Sequence, residues 1–239
     1  MKFANELGTR ITIHFAEVKK DVEYIKHRFG MTLIDCAVSV NMLGSIVVLV
    51  HAVRINDNNI RKFAETQTHV SHNPLANTKL ASGIAPVSRM INAGVNVCLG
   101  TDGGPRNNSY DMINDMRRVS YIHKVNTDDP TVMPSELVLY MATINDTKSM
   151  GLENEIGFIQ VGKQADFVAI DMNKPHLTPR DNVLSTIACA GYGSDVDTVI
   201  IGGKIIMRDR HVLTMDKERI LNEARMRAEQ LYKRSGVKL

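Results

Sequence analysis

The chain has 239 residues, 44% of them hydrophobic, enough for one large domain or two modest ones with a real core, which excludes general disorder. Its 29 basic and 26 acidic residues leave a net charge of +3 and a pI near 8.7, with no basic block and no interleaved aromatic stripe, which excludes a nucleic-acid partner. Cys36, Cys98 and Cys189 lie far apart without a CxxC spacing, and no run approaches the roughly 18 apolar residues of a membrane span, so a soluble, cytoplasmic protein with no membrane partner is expected.

Taken in order, the first 130 residues repeat one pattern: a short β-branched run, a turn, then a stretch with helical spacing. "RITIHFAE" (10–17), "SIVVLVHAV" (45–53), "THVSHNP" (68–74) and "NVCLGTDGG" (96–104) read as strands. Between them, "EVKKDVEYIKHRFG", "TLIDCAVSVNML", "NDNNIRKFAET" and "VSRMINAG" read as helices. Alternating strands and helices predict a parallel sheet built from βα units.

Polar residues gather at the C-terminal ends of all four strands: His14 and Glu17, His51, His72 and Asn73, and Asp102. In a parallel βα barrel that end carries the active site, because its loops converge on one mouth. Farther on, "SYDMINDMRRVSYIHK" and "PSELVLYMATINDTKSMG" each read as one helix. "EIGFIQVGKQADFVAIDM" and "DTVIIGGKIIMRDRHVL" then read as glycine-punctuated hairpins of a small antiparallel module. The chain closes on "DKERILNEARMRAEQLYKR", a helix with an apolar stripe through Ile220, Leu221, Ala224, Ala228 and Leu231.

Histidines and carboxylates at strand ends are the raw material of a hydrolytic metal site. Nitrogen and oxygen ligands hold a divalent ion, the ion lowers the pKa of bound water to about 7, and a further acid or base moves protons. Other readings stand beside this one. A histidine on a strand can simply be a satisfied core residue, "HNP" can end a strand through proline's missing donor, and Asn107 and Asn108 can cap a helix. His27, His69, His123, His176 and His211 are read as surface or structural residues. The glycine pair at 103–104 lacks the lysine and serine of a phosphate loop.

In order and spacing, "HFAEVKKDVE", "VVLVHAV", "THVSHNPLANTKLASGIAPV", "LGTDG", "NNSYDM", "MATINDTKSMGLENEIGFIQVGKQADFVAID" and "VIIGGKII" resemble the amidohydrolase superfamily. The branch they resemble holds the 5-methylthioadenosine/S-adenosylhomocysteine deaminases and triazine chlorohydrolases. The resemblance implies that His14 is a metal ligand from the fifth barrel strand and that Glu17 is the acid/base that protonates a ring nitrogen. It implies that His51 orients or deprotonates the attacking water or polarises the substrate, and that Asp102 binds the metal and accepts the water's proton. His72 and Asn73 would shape the substrate pocket, and Asn107 and Asn108 match the loop after the eighth strand. The implied cofactor is a divalent metal, zinc or iron, and the implied reaction is hydrolytic loss of ammonia, an amine or chloride from an aminopurine nucleoside or triazine-like ring.

The family's first strand carries an HxH pair, and no HxH occurs in this sequence. "MKFANELGTRITIHFAE" resembles the interior helix before strand five. The resemblance therefore implies the C-terminal half of a (β/α)8 TIM-type barrel over 1–153, part of a small β-sandwich over 154–215 and a C-terminal helix over 216–239. Four strands leave open edges, so such a half is expected to oligomerise or to bind the missing N-terminal half or another subunit. The alternative is a non-catalytic or incomplete fragment with only scaffold or partner-binding capacity.

Overall fold

The computed structural model describes residues 1–236 and forms two compact units. One comprises Met1–Lys163 and Met172–Gly193; the other comprises Gln164–Asp171 and the chain from Ser194 onward.

The first unit is built on a parallel sheet of β1 (Ile11–Phe15), β2 (Val47–His51), β3 (His69–His72) and β4 (Val97–Leu99), hydrogen-bonded in that order. Each strand lies inside a predicted run, where branched side chains suit a pleated, packed surface. Ile13, Leu49, Val70 and Val97 stand in register across the sheet. Phe15, which alternation puts on the same face, meets Phe63 of helix Asp57–Glu65 edge-on, with ring centroids 5.7 Å apart. Val47, Leu49, Phe63, Val70 and Val97 are completely buried, which locates the core between this face and its helices. The opposite row runs His14, Val50, Ser71, Cys98. β1 is an edge strand and differs from the others: Thr12, Ile13 and His14 are exposed, whereas all of β2 is buried.

The helices start and stop where local chemistry dictates. Asn56 and Asn59 exchange side chain to backbone bonds in a reciprocal cap, and Asp111 Oδ1 accepts the Asn114 N–H to open helix Met112–Thr127. Helix Lys19–Phe29 ends on Gly30 with φ of 67°.

The stretch expected to form one helix at 134–151 forms two, Ser135–Met141 and Ile144–Met150. Thr143 breaks the run, its hydroxyl bonded back to Leu139 O, while Asn145 Nδ2 reaches Val97 O and ties the second helix to β4. Helix Val183–Ala190, which the sequence patterns did not single out, belongs to this unit as well.

The second unit holds an antiparallel sheet of β5 (Phe167–Ile170), β6 (Val196–Ile201), β7 (Lys204–Arg208) and β8 (His211–Val212), in that order. β6 and β7 form the expected hairpin, and Gly202 and Gly203, with φ of 55° and 75°, make its two-residue turn. The segment from Glu155 to Ala165 adds no strand. Helix Lys217–Ser235 opens on Asp216 as a cap, and its apolar stripe lies in solvent: Ile220, Leu221 and Leu231 are 44%, 38% and 55% exposed.

Candidate active site at the ends of the parallel strands

Three of the four parallel strands end in left-handed backbone. φ is 50° at Ala16 after β1, 75° and 48° at His51 and Ala52 at the end of β2, and 61° at Asp102 after β4. Such conformations are uncommon without glycine, and they cluster where a site over-determines them. At His51 the consequence is direct. His14 is in register with Val50, so alternation puts His51 on the other face, yet the rings of His14 and His51 stand 5.0 Å apart. The turn at His51 brings its imidazole across to meet His14.

His51 is fully buried and lies at the centre of the cluster. Its Nδ1–H donates to Asn77 Oδ1 at 2.8 Å, which aims Nε2 at two carboxylates, Glu17 Oε2 at 3.5 Å and Asp102 Oδ2 at 3.8 Å. Among the described residues, neither His51 Nε2 nor Asp102 Oδ2 has a hydrogen-bond partner, although both are buried. With Nδ1 carrying the proton, Nε2 presents a lone pair to two acceptors. A donor or a cation placed among them would satisfy all three.

The remaining oxygens are held in place. Gly103 N–H donates to Asp102 Oδ1 at 2.6 Å, and Ser82 Oγ lies 3.4 Å from Glu17 Oε1, with the Arg106 guanidinium at 3.6 Å. Asn73 is buried beside this turn. With its amide nitrogen facing Ser71 Oγ and O, Asn73 Oδ1 accepts the Asp102 N–H at 3.2 Å. Gly100 lets these groups meet, since a Cβ there would stand 2.7 Å from Ser71 Oγ.

The other residues singled out in the sequence lie around this cluster. His72 is buried against His123, with Nε2 atoms 3.2 Å apart, so one ring donates and the other accepts. Burial holds His72 well below the ordinary imidazole value, with nearby His123 and His51 adding to it, and burial pushes His123 down to about 4. His123, read from sequence as surface or structural, lies inside the protein. Asn107 is buried and donates to Thr101 O at 2.5 Å and to Asp115 Oδ2 at 3.1 Å. Asn108 is exposed, ends the short helix Gly104–Asn107 with φ of 63°, and accepts from Lys79.

Sequence reasoning passed over Asn77, Ser82 and Asp115. Asn77 carried one usable signal, being a poor helix former inside helix Pro74–Lys79 that caps neither end. The other two depend on contacts 65 and 8 residues away in the chain, which no local pattern marks.

The imidazole and carboxylate donors are those zinc takes, and the unpartnered Asp102 Oδ2 fits a cation. His14 is exposed, and among the described residues no three His, Cys, Asp or Glu side chains are placed to hold a metal ion by themselves.

In parallel βα folds active sites lie at the C-terminal ends of the strands, and that is where this chain gathers His51, Glu17 and Asp102. The chain belongs to the amidohydrolase family, whose profile it matches over residues 1–206. It is 40% identical over 234 residues to a 5′-deoxyadenosine deaminase of Methanosarcina acetivorans, covering 98% of this chain and 54% of that protein. It is 44% identical over 214 residues to a 5-methylthioadenosine/S-adenosylhomocysteine deaminase of Moorella thermoacetica, covering 90% and 50%. An adenosine deaminase from Xanthomonas campestris, solved with bound zinc, superposes with a TM-score of 0.95 at 28% identity, over 97% of this chain and 53% of that one. Atrazine chlorohydrolase from Arthrobacter aurescens, complexed with zinc, shares the fold at a TM-score of 0.88 and 21% identity, over 93% and 49%. The chain spans about half the length of the curated relatives it matches.

Proposed function

We propose that this chain supplies the acid–base side of a metal-dependent hydrolase that deaminates adenosine-like nucleosides, with dechlorination or deamination of a triazine-like ring as the related chemistry. The observation that carries this reading is that Glu17 Oε2 and Asp102 Oδ2 stand 3.5 and 3.8 Å from His51 Nε2, with His51 Nε2 and Asp102 Oδ2 buried without a hydrogen-bond partner among the described residues. Relatives named as deaminases of adenine nucleosides support the substrate class. In this reading β1 to β4 are strands five to eight of a (β/α)8 barrel, the antiparallel sheet β5 to β8 is part of a small β-sandwich, and helix Lys217–Ser235 follows it; residues 237–239 of the expected terminal helix lie outside the described residues. Strands one to four come from outside the described residues.

The ion, when bound, lowers the pKa of a water so that a nucleophile exists near neutral pH. His14 and Asp102 Oδ2 are the residues of this chain that would hold it. Gly103 N–H, by occupying Asp102 Oδ1, leaves Oδ2 free for that task and for taking the water's proton. Asn77 fixes His51 so that Nε2 faces the reacting oxygen and orients it. Glu17 moves the remaining protons. As the water oxygen bonds to the amino-bearing ring carbon, Glu17 gives a proton to the adjacent ring nitrogen. The proton held by Asp102 then passes to the amino nitrogen, the C–N bond breaks with its electron pair on nitrogen, ammonia leaves, and the carbon keeps the oxygen as a carbonyl while the hydroxyl proton returns to Glu17. His72, Asn73, Asn107 and Asn108 would shape the pocket around the ring, Asn73 and Asn107 through the Asp102 turn that both touch.

The test is ammonia release from 5′-deoxyadenosine, S-adenosylhomocysteine and a chloro-s-triazine, with chloride followed for the last. The protein is this chain co-expressed with the part of the Methanosarcina acetivorans relative that it does not match, and supplied with zinc. Zinc-dependent ammonia release from the nucleosides is expected. A soluble, zinc-retaining complex inert toward all three would overturn the reading in favour of a non-catalytic scaffold.

A further inference from the structure

Asp115 is a buried acid that the proposed chemistry does not use. It is fully buried as the fourth residue of helix Met112–Thr127, where Asp111 already supplies the cap, so capping does not account for it. Burial pushes its carboxyl up to about 6, against the opposing pull of the Asn107 side chain and the Leu75 backbone N–H; Asp111 raises it further and Arg118 lowers it. A leucine of similar size would fill the same space without that desolvation cost.

The bond that Asp115 makes with Asn107 leads to one peptide. Asp115 Oδ2 accepts from Asn107 Nδ2 at 3.1 Å, and the same amide nitrogen donates to Thr101 O at 2.5 Å. Thr101 O and Asp102 N–H belong to a single peptide unit, and Asn73 takes the N–H at 3.2 Å. That unit is therefore held at both ends, by Asn107 at its oxygen and by Asn73 at its nitrogen. It precedes the residue whose φ of 61° aims the carboxylate at His51. Asn107 can hold a carbonyl only with its NH2 turned inward, and an acceptor behind it selects that orientation. Asp115 is that acceptor. Asn107 Oδ1 has no hydrogen-bond partner among the described residues, so no other side chain bond fixes the amide.

We propose that Asp115 is a positioning residue for Asp102, acting through Asn107 to fix the Thr101–Asp102 peptide and with it the left-handed turn. The functional weight of this tie rests on the reading of Asp102 as a site carboxylate; the tie itself does not. Amide NMR of the chain reads it without metal or substrate, so failure of the proposed reaction and failure of this inference give different results.

In Asp115→Leu the Asp102 and Gly103 amide signals are expected to move. Exchange of the Gly103 N–H is expected to quicken about tenfold relative to the β4 amides Val97 to Leu99, the scale of one lost hydrogen bond. Asp115→Asn keeps an acceptor oxygen of the same shape and is expected to restore both signals and exchange. Asn107→Ala cuts the same link from the loop side and is expected to reproduce the loosened turn, which covers the case in which Asp115→Leu does not fold. A folded Asp115→Leu or Asn107→Ala chain with wild-type Asp102 and Gly103 signals and exchange would overturn the proposal. So would an Asp115→Asn chain as perturbed as Asp115→Leu, which would reduce Asp115 to a packing residue.

Discussion

His51 ends β2 at a φ of 75°, a backbone choice that costs on the order of 1–3 kcal/mol in a residue with a side chain. The strain is recovered in placement: Nδ1 meets Asn77 and Nε2 meets Glu17 and Asp102, which a regular strand would have kept apart from His14. In the proposed reaction Glu17 moves protons and does not hold the ion. Glu17→Gln in the zinc-loaded complex should therefore lower kcat by about 10²–10⁴ while leaving zinc content near wild type. Parallel kinetics and elemental analysis check this, and loss of zinc together with activity would assign Glu17 to the ion instead.

The pair His72 and His123 gives a pH dependence of definite sign. Both imidazoles titrate lower in the folded protein than the ordinary value near 6.5, so the unfolded chain binds more protons between that value and the folded one. Their contribution is complete above about 6.5 and is lost as pH falls toward 4. The Asp115 carboxyl, pushed up to about 6, acts in the opposite direction, so the clean comparison is wild type against His123→Gln, in which that group is common to both. Between pH 7 and pH 4, wild type should lose about 3 kcal/mol of stability relative to the variant, read from urea unfolding at each pH. A difference independent of pH would contradict a neutral, buried His123.

At the scale of elements, the two kinds of apolar stripe in this chain make opposite forecasts. Phe63 fills the space between helix Asp57–Glu65 and Phe15, and Phe63→Ala should cost about 3–5 kcal/mol in urea unfolding. Leu231, on a helix of comparable periodicity, is exposed, and Leu231→Ala should change stability by about 0.5 kcal/mol or less. Periodicity records that a face is apolar, and only packing decides whether that face is buried. The same limit explains what was legible in the sequence. β1 to β4 were, because branched runs between turn signals have few other uses, and so was the gathering of His14, Glu17, His51 and Asp102 at the strand ends. The break at Thr143 was not, since it is set by the grip of Asn145 on β4, and neither was the pairing of His72 with His123 across 51 residues. The left-handed turn at His51 also left no clear mark, because histidine signals such a conformation far less strongly than glycine would.

For the molecule as a whole, the parallel sheet of the described residues has β1 at one edge with Thr12, Ile13 and His14 in solvent, and the proposed ligand His14 lies on that edge. The relatives are about twice as long as the matched span, and no helix among the described residues is long and apolar enough to cross a membrane. In the proposed function the site is shared with strands that lie outside the described residues. Zinc stoichiometry after gel filtration tests that claim most directly, measured on the chain alone and on the chain co-expressed with the complementary part of a relative. The account predicts clearly substoichiometric zinc on the chain alone and about one zinc on the complex, lost in Asp102→Ala. Full zinc retention by the chain alone, or zinc on the complex that ignores Asp102→Ala, would contradict it.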